Sequence, residues 1–176
     1  MPHDQLWAPW RLAYVKGQTE EQPTRIVNLL PGGDEKCFLC RAVADTADRA
    51  NLVVHRGTHT FAILNRYPYN NGHLLVSPQR HLGRLDEIDA ATHAELIAAI
   101  TRVTQIMERL VNAHGFNVGL NLGRAAGAGV PGHLHWHVVP RWEGDTNFMP
   151  ILTDAKVISQ SLDALWELLA PALAAT

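Results

Sequence analysis

The 176-residue sequence predicts an α+β fold, an antiparallel sheet of about five strands covered by one long helix and a C-terminal helix. Three observations carry this prediction. Short apolar runs rich in β-branched and aromatic residues recur between tight turn signals, as in hairpin-connected strands. Two other stretches repeat their apolar residues at helical spacing. Strands and helices are also grouped instead of alternating, which argues against a parallel, crossover-connected sheet. With 47% hydrophobic and 18% charged residues, the chain can bury one core and is too short for two full domains. Residues 1–176 are therefore read as a single domain, with an N-terminal arm and loop at about 1–36.

That arm holds Trp7 and Trp10 and then Gly17, Pro23, Pro31, Gly32 and Gly33, with no sustained period of either kind. Three strand-like runs follow: LVVHR (52–56), TFAIL (60–64) and HLLVS (73–77). Gly57, Pro68 and the turn signal Asn70-Asn71-Gly72 separate them. A helix comes next, with Thr92 and Glu95 offering a capping box and Leu96, Ile97, Ile100, Val103, Met107, Leu110 and Val111 forming an apolar stripe. Its expected stop is Gly115, as a left-handed cap. FNVGLNLG (116–123) and HLHWHVVPR (133–141) read as two more strands joined by the glycine-rich GRAAGAG (123–129). An amphipathic segment over about 159–173, with Leu162, Leu165, Trp166 and Leu169 on one side, closes the chain.

Several function classes are disfavoured at this level. A formal charge of −2 supplies no basic face for a nucleic-acid polymer, and no apolar run reaches the roughly twenty residues of a membrane helix. The N-terminus lacks the features of a signal peptide, so the expected address is cytoplasmic. Only two cysteines are present, Cys37 and Cys40, which is not the composition of a disulfide scaffold.

Ten histidines are many for such a chain, and three alternate as His133, His135 and His137. At a strand's period of two, their imidazoles share one sheet face, about 7 Å apart along the strand. One histidine in a half-buried strand is ordinary; three in register call for a chemical reason. Such a row can hold a catalytic metal, use one neutral imidazole as a nucleophile toward phosphorus, or bind phosphate through protonated rings. The glycines of 123–129 allow backbone N–H groups to approach an anion, and Arg141 places a cation at the other end of the row.

HLHWHVV followed by PR resembles the signature of the histidine triad superfamily. FAILNRYPYNNGHLLVSPQRH resembles the same superfamily, especially its dinucleoside polyphosphate-cleaving branch. The two segments cover about 61–141, and HLHWH, PRW and GDTNFMP are similar to bacterial members that include diadenosine tetraphosphate phosphorylases. The resemblance implies that His135 attacks the α-phosphorus to give a nucleotidyl-histidine intermediate. It further implies that His137 and His73 contact the phosphate and that Asn65 bonds the ribose. Many members carry glutamine and serine or threonine before the first histidine, where this chain has Ala128, Gly129, Val130 and Pro131. Backbone groups of the glycine-rich turn, at Gly127 and Gly129, are the expected substitutes.

Cys37-Phe38-Leu39-Cys40 has the spacing of a zinc knuckle and also that of a thioredoxin-like redox pair. The redox motif wants a preceding strand and a helix beginning at its first cysteine, whereas this pair follows Pro31-Gly32-Gly33-Asp34, so metal is favoured. The family resemblance implies the other two ligands, His81 and His133, in a closed structural Zn²⁺ site. It also implies a homodimer built through the long helix and a neighbouring sheet edge, with a small nucleotide as substrate. The expected activity is hydrolysis or phosphorolysis of dinucleoside polyphosphates. Phosphoramidase activity, a metal-dependent hydrolase using the histidine row, and a low-turnover nucleotide-binding module are the alternatives. Trp7, Trp10 and Trp142 are candidates for the interface or the base pocket.

Overall fold

A computed structural model of the chain describes residues 28–145 and 158–175. Five strands form one antiparallel sheet: β1 (Val53–Arg56), β2 (Thr60–Leu64), β3 (Leu74–Pro78), β4 (Gly115–Leu120) and β5 (Trp136–Arg141), in the order β1-β2-β3-β5-β4. The helices are α1 (Phe38–Ala44), α2 (Asp48–Asn51), α3 (Ala90–Val111) and α4 (Leu162–Ala174), with 3₁₀ turns at Leu85–Glu87 and Arg124–Ala126. The α+β architecture is the one expected. Trp7, Trp10, most of the arm and residues 146–150 of GDTNFMP lie outside the described residues.

Every residue of β2 and β3 is buried, which explains their continuous apolar runs: both faces of the sheet centre are covered. Helix α3 packs on β2, β3 and β5, while α4 packs on β1 and beside α3. Leu96, Ala99, Ile100, Val103, Ile106 and Met107 form the buried stripe of α3. Two members of the expected stripe fall outside it, since Ile97 is 60% exposed and Leu110 39%. In α4 the spacing Leu165, Leu169, Leu173 places one residue per turn in the core, and Ser161 caps the helix by accepting from the Ala164 N–H.

Both ends of α3 correct the sequence reading. The N-cap is Asp89, whose carboxylate accepts from the Thr92 backbone (2.8 Å) and hydroxyl (3.0 Å). Glu95 instead accepts from the backbone N–H groups of His59 and Thr60 and from the Thr60 hydroxyl, closing the β1–β2 turn. The left-handed C-cap is Asn112, at φ 51°, a conformation asparagine tolerates. Gly115 opens β4 opposite Arg141.

The last strand is shorter than HLHWHVVPR. Its ladder with β3 runs Leu74↔Val138, Leu75↔His137 and Val76↔Trp136 and then stops. The next positions on β3 are Ser77 and Pro78, and Pro78 has no N–H to donate. The Ser77 hydroxyl takes up the Leu134 carbonyl instead, at 2.7 Å. Residues 133–135 therefore precede the strand, and their backbone is free to turn toward other partners.

Helix α1 was not anticipated. It starts immediately after Cys37 and contributes Leu39 and Ala42 to the core. Arg56, on β1, fastens it by donating to the carbonyls of Ala42, Val43 and Asp45 and to the Asp48 carboxylate. These carbonyls at the end of the helix would otherwise lack partners.

Candidate active site and metal cluster

The five histidines of the two motifs divide into two groups. His73 lies just before β3 and His137 sits on β5 in the neighbouring register, which brings His73 Nε2 to 2.9 Å from His137 Nδ1. The backbone N–H of Tyr69 donates to His73 Nδ1 at 3.0 Å, and the Asn65 amide lies 3.2 Å from the same atom. A backbone N–H can only donate, so His73 Nδ1 is an acceptor and the proton of the neutral ring sits on Nε2. That proton is donated to His137 Nδ1, so neutral His137 carries its own on Nε2. His137 Nε2 is buried and has no hydrogen-bond partner among the described residues. Burial, then the neighbouring His135, pushes the His137 pKa down to about 4, so the ring is neutral near pH 7.

His135 is 6% exposed, and its Nδ1 donates to the His133 carbonyl at 2.8 Å. A carbonyl can only accept, so the neutral ring has its lone pair on Nε2. The His135 and His137 rings meet edge to face with centroids 5.2 Å apart. One edge of the sheet centre thus presents an imidazole lone pair beside an unpartnered imidazole N–H. That pair of groups is suited to attacking an electrophilic centre while bonding one of its oxygens.

The third member of the row turns away. His133 is fully buried, donates from Nε2 to the Pro78 carbonyl (2.9 Å), and directs Nδ1 to Cys37 Sγ (3.3 Å) and Cys40 Sγ (3.4 Å). His81 Nδ1 lies 3.2 Å from Cys40 Sγ, and the four ligand atoms are all within 4.8 Å of one another. The row is therefore not three equivalent imidazoles on one face. Cys37 caps α1 and Cys40 lies in its first turn, so both sulfurs sit at the helix start. A helix does begin at the first cysteine, contrary to the sequence expectation, although no strand precedes the pair among the described residues. The two histidines closing the group supply the stronger reason, a Cys₂His₂ donor set able to hold a metal ion. Burial pushes the Cys37 thiol up to about 12, so forming its thiolate requires a compensating cation.

The remaining sequence candidates are placed as follows. Asn65 is half-buried and its Oδ1 accepts from the Tyr67 N–H at 2.9 Å. Gly127 has φ 85° and donates its N–H to the Arg124 carbonyl, so it shapes the turn with an amide that is already engaged; Gly129 is exposed. Arg141 does not supply a separate cation beside the row, since its guanidinium binds both carboxylate oxygens of Asp145 and the Asn117 side chain. Trp142 donates to the Val111 carbonyl at the end of α3. Sequence reasoning missed Tyr69, whose ring stacks on His137 at 5.5 Å and lies 4.7 Å from His73. Its position four residues before His73 carries no period that would have marked it.

Comparison with known proteins bears on this arrangement. The HIT domain family matches residues 47–144. The chain is 40% identical over 165 residues to AP-4-A phosphorylase of Mycobacterium tuberculosis, covering 94% of this chain and 82% of the relative. It is 34% identical over 93 residues to the asymmetrical bis(5'-nucleosyl)-tetraphosphatase of Schizosaccharomyces pombe, covering 53% of this chain and 50% of the relative. Among solved structures, a Zn-bound histidine triad family protein from Mycobacterium smegmatis superposes with a TM-score of 0.64 at 29% identity, covering 81% of this chain and 96% of that one.

Proposed function

The chain belongs to the HIT family of enzymes, and from that membership we propose that it cleaves dinucleoside polyphosphates of the diadenosine tetraphosphate type at the α-phosphate. The observation that carries the reading is the pair of opposed tautomers, a lone pair on His135 Nε2 beside a proton on His137 Nε2. In the proposed reaction His135 Nε2 attacks the α-phosphorus and a P–N bond forms. The P–O bond to the departing nucleotide breaks, its electron pair leaving on that oxygen. His137 Nε2–H bonds a phosphoryl oxygen as charge builds. Water or orthophosphate then attacks the adduct, forming a new P–O bond, breaking P–N and losing a proton to solvent. His135 regains its lone pair.

His73 serves this site through His137, since both of its ring nitrogens have protein partners; direct phosphate contact is left to His137 and to the backbone at Gly129. Asn65 keeps an amide hydrogen for the ribose. Cys37, Cys40, His81 and His133 hold Zn²⁺ in this reading, and the likeness to the Zn-bound mycobacterial protein supports the choice of metal. Zinc there would supply cross-linking of α1 to the chain before β5, since four protein donors leave no open position for substrate. This disfavours the metal-dependent hydrolase. Ile97 on α3 and Val118 on the outer strand β4, 60% and 47% exposed, are available to a homodimer through the long helix and sheet edge; light scattering tests that state.

The deciding experiment is a panel of dinucleoside polyphosphates and a nucleoside phosphoramidate, assayed with and without orthophosphate and with products identified. Nucleoside diphosphate formed only with phosphate is the result expected from the likeness to AP-4-A phosphorylase. Nucleoside monophosphate in both conditions means hydrolysis. Turnover of the phosphoramidate alone overturns the proposal.

A further inference from the structure

His135 stands outside the regular ladder, so something other than strand pairing must fix its backbone. Two peptide planes precede it. The plane between His133 and Leu134 is held at one end by the Leu134 N–H, which donates to the Leu82 carbonyl at 2.7 Å. Its other end is the His133 carbonyl that accepts from His135 Nδ1. The plane between Leu134 and His135 is held by a side chain, because the Leu134 carbonyl accepts from the Ser77 hydroxyl at 2.7 Å. Ser77 is fully buried, so no water can replace that donor. The same hydroxyl lies 3.2 Å from the Pro78 carbonyl, which accepts from His133 Nε2.

We propose that Ser77 is a positioning residue for the nucleophile, its hydroxyl fixing the Leu134–His135 peptide plane so that the His135 ring keeps its Nδ1–H on the His133 carbonyl. The proposal rests on the reading of His135 as the attacking group. The chemistry explains why a hydroxyl stands here. Pro78 ends the ladder, a buried carbonyl is left facing β3, and only a side-chain donor of serine's reach can bond it from within the strand. Without that bond the plane is held only through its neighbours, Leu134 and Trp136, and the lone pair on His135 Nε2 loses part of the fixed direction that an in-line attack on phosphorus demands.

The test compares Ser77→Thr with Ser77→Val, two side chains of nearly equal volume and β-branching that differ in the hydroxyl, so that crowding in the buried site is common to both. Three quantities are read in each: nucleotide monophosphate affinity, the single-turnover rate of adduct formation, and the ¹⁵N imidazole signals of His135, assigned by their loss in His135→Ala. The expected result is affinity within about twofold for both variants and adduct formation about tenfold slower in Ser77→Val than in Ser77→Thr, the scale of one lost hydrogen bond. A broadened or tautomerically mixed His135 signal should appear only in Ser77→Val. Equal rates and equal His135 signals in the two variants overturn the proposal. Should wild-type adduct map to another residue, the reading of His135 as nucleophile fails, while the imidazole signals still report whether Ser77 orders that ring.

Discussion

His133 and His137 are four residues apart and sit in opposite chemical surroundings. At His133 every polar group is answered by the protein: one ring nitrogen donates to Pro78, the other meets two sulfurs, and the carbonyl accepts from His135. At His137 one ring nitrogen is answered by His73 and the other carries a buried proton with no partner among the described residues. An arrangement that answers all its own groups stabilises the fold, whereas one that leaves a buried donor open is ready for something it does not contain. The difference teaches where to expect loss of stability and where to expect loss of turnover.

The largest expected effect lies at the open end. His135→Ala should lower turnover by roughly 10⁴-fold or more while folding and nucleotide binding persist, and His137→Ala by roughly 10²–10³-fold, as for removal of one donor to a developing charge. Single-turnover assays with radiolabelled substrate measure both, and comparable losses in the two variants would break the distinction between bond-forming atom and charge-stabilising one. At the closed end, about one zinc ion per chain should be found by elemental analysis. Chelation or Cys40→Ser should lower Tm by on the order of 10 °C before it affects chemistry. A Cys40→Ser protein that keeps full metal content and Tm would contradict the ligand set.

A smaller effect follows from the buried imidazole. The unfolded chain takes up a proton at His137 near the ordinary value of 6.5, the folded protein only near 4, so between these values the unfolded state binds more protons. The stability due to this group is therefore complete above about pH 6.5 and is lost as pH falls toward 4. Thermal melting should drop between pH 7 and 5, and His137→Gln should flatten that drop by a few °C. The smallest effect is at Asn65. Asn65→Ala should raise KM by an amount matching about 0.5–1.5 kcal/mol with little change in kcat, and identical kinetics for ribose and deoxyribose substrates would remove it from the site.

Much of this was legible from residues alone because it depends on period and type. The buried runs of β2 and β3 and most of the stripe of α3 follow from repeating geometry, whereas the alternation of histidines does not place all three on one face, because His133 and His135 precede β5 and His133 turns to the cysteines. Cys37, Cys40, His81 and His133 were matched through motif resemblance, and they do converge. What escaped depends on competition between local options. Asp89 outcompetes Thr92 as a cap because it can accept from both the backbone and the hydroxyl of Thr92. Asn112 ends α3 before Gly115 can. The shortening of β5 is written on a different strand, at Pro78, and no reading of HLHWHVVPR by itself reveals it. Nor does sequence say which ring nitrogen carries a proton; that came from Tyr69 and His133 supplying a pure donor and a pure acceptor.

The double use of His133 bears on how this site can change over generations. Its side chain belongs to the Cys₂His₂ donor set, but its service to His135 is rendered by a carbonyl, which every amino acid possesses. A lineage could therefore exchange Cys37, Cys40, His81 and the His133 imidazole together for tightly packed apolar side chains and still present the same acceptor to His135. The Cys₂His₂ donor set and the fixing of the His135 ring are therefore separable, although they pass through one residue.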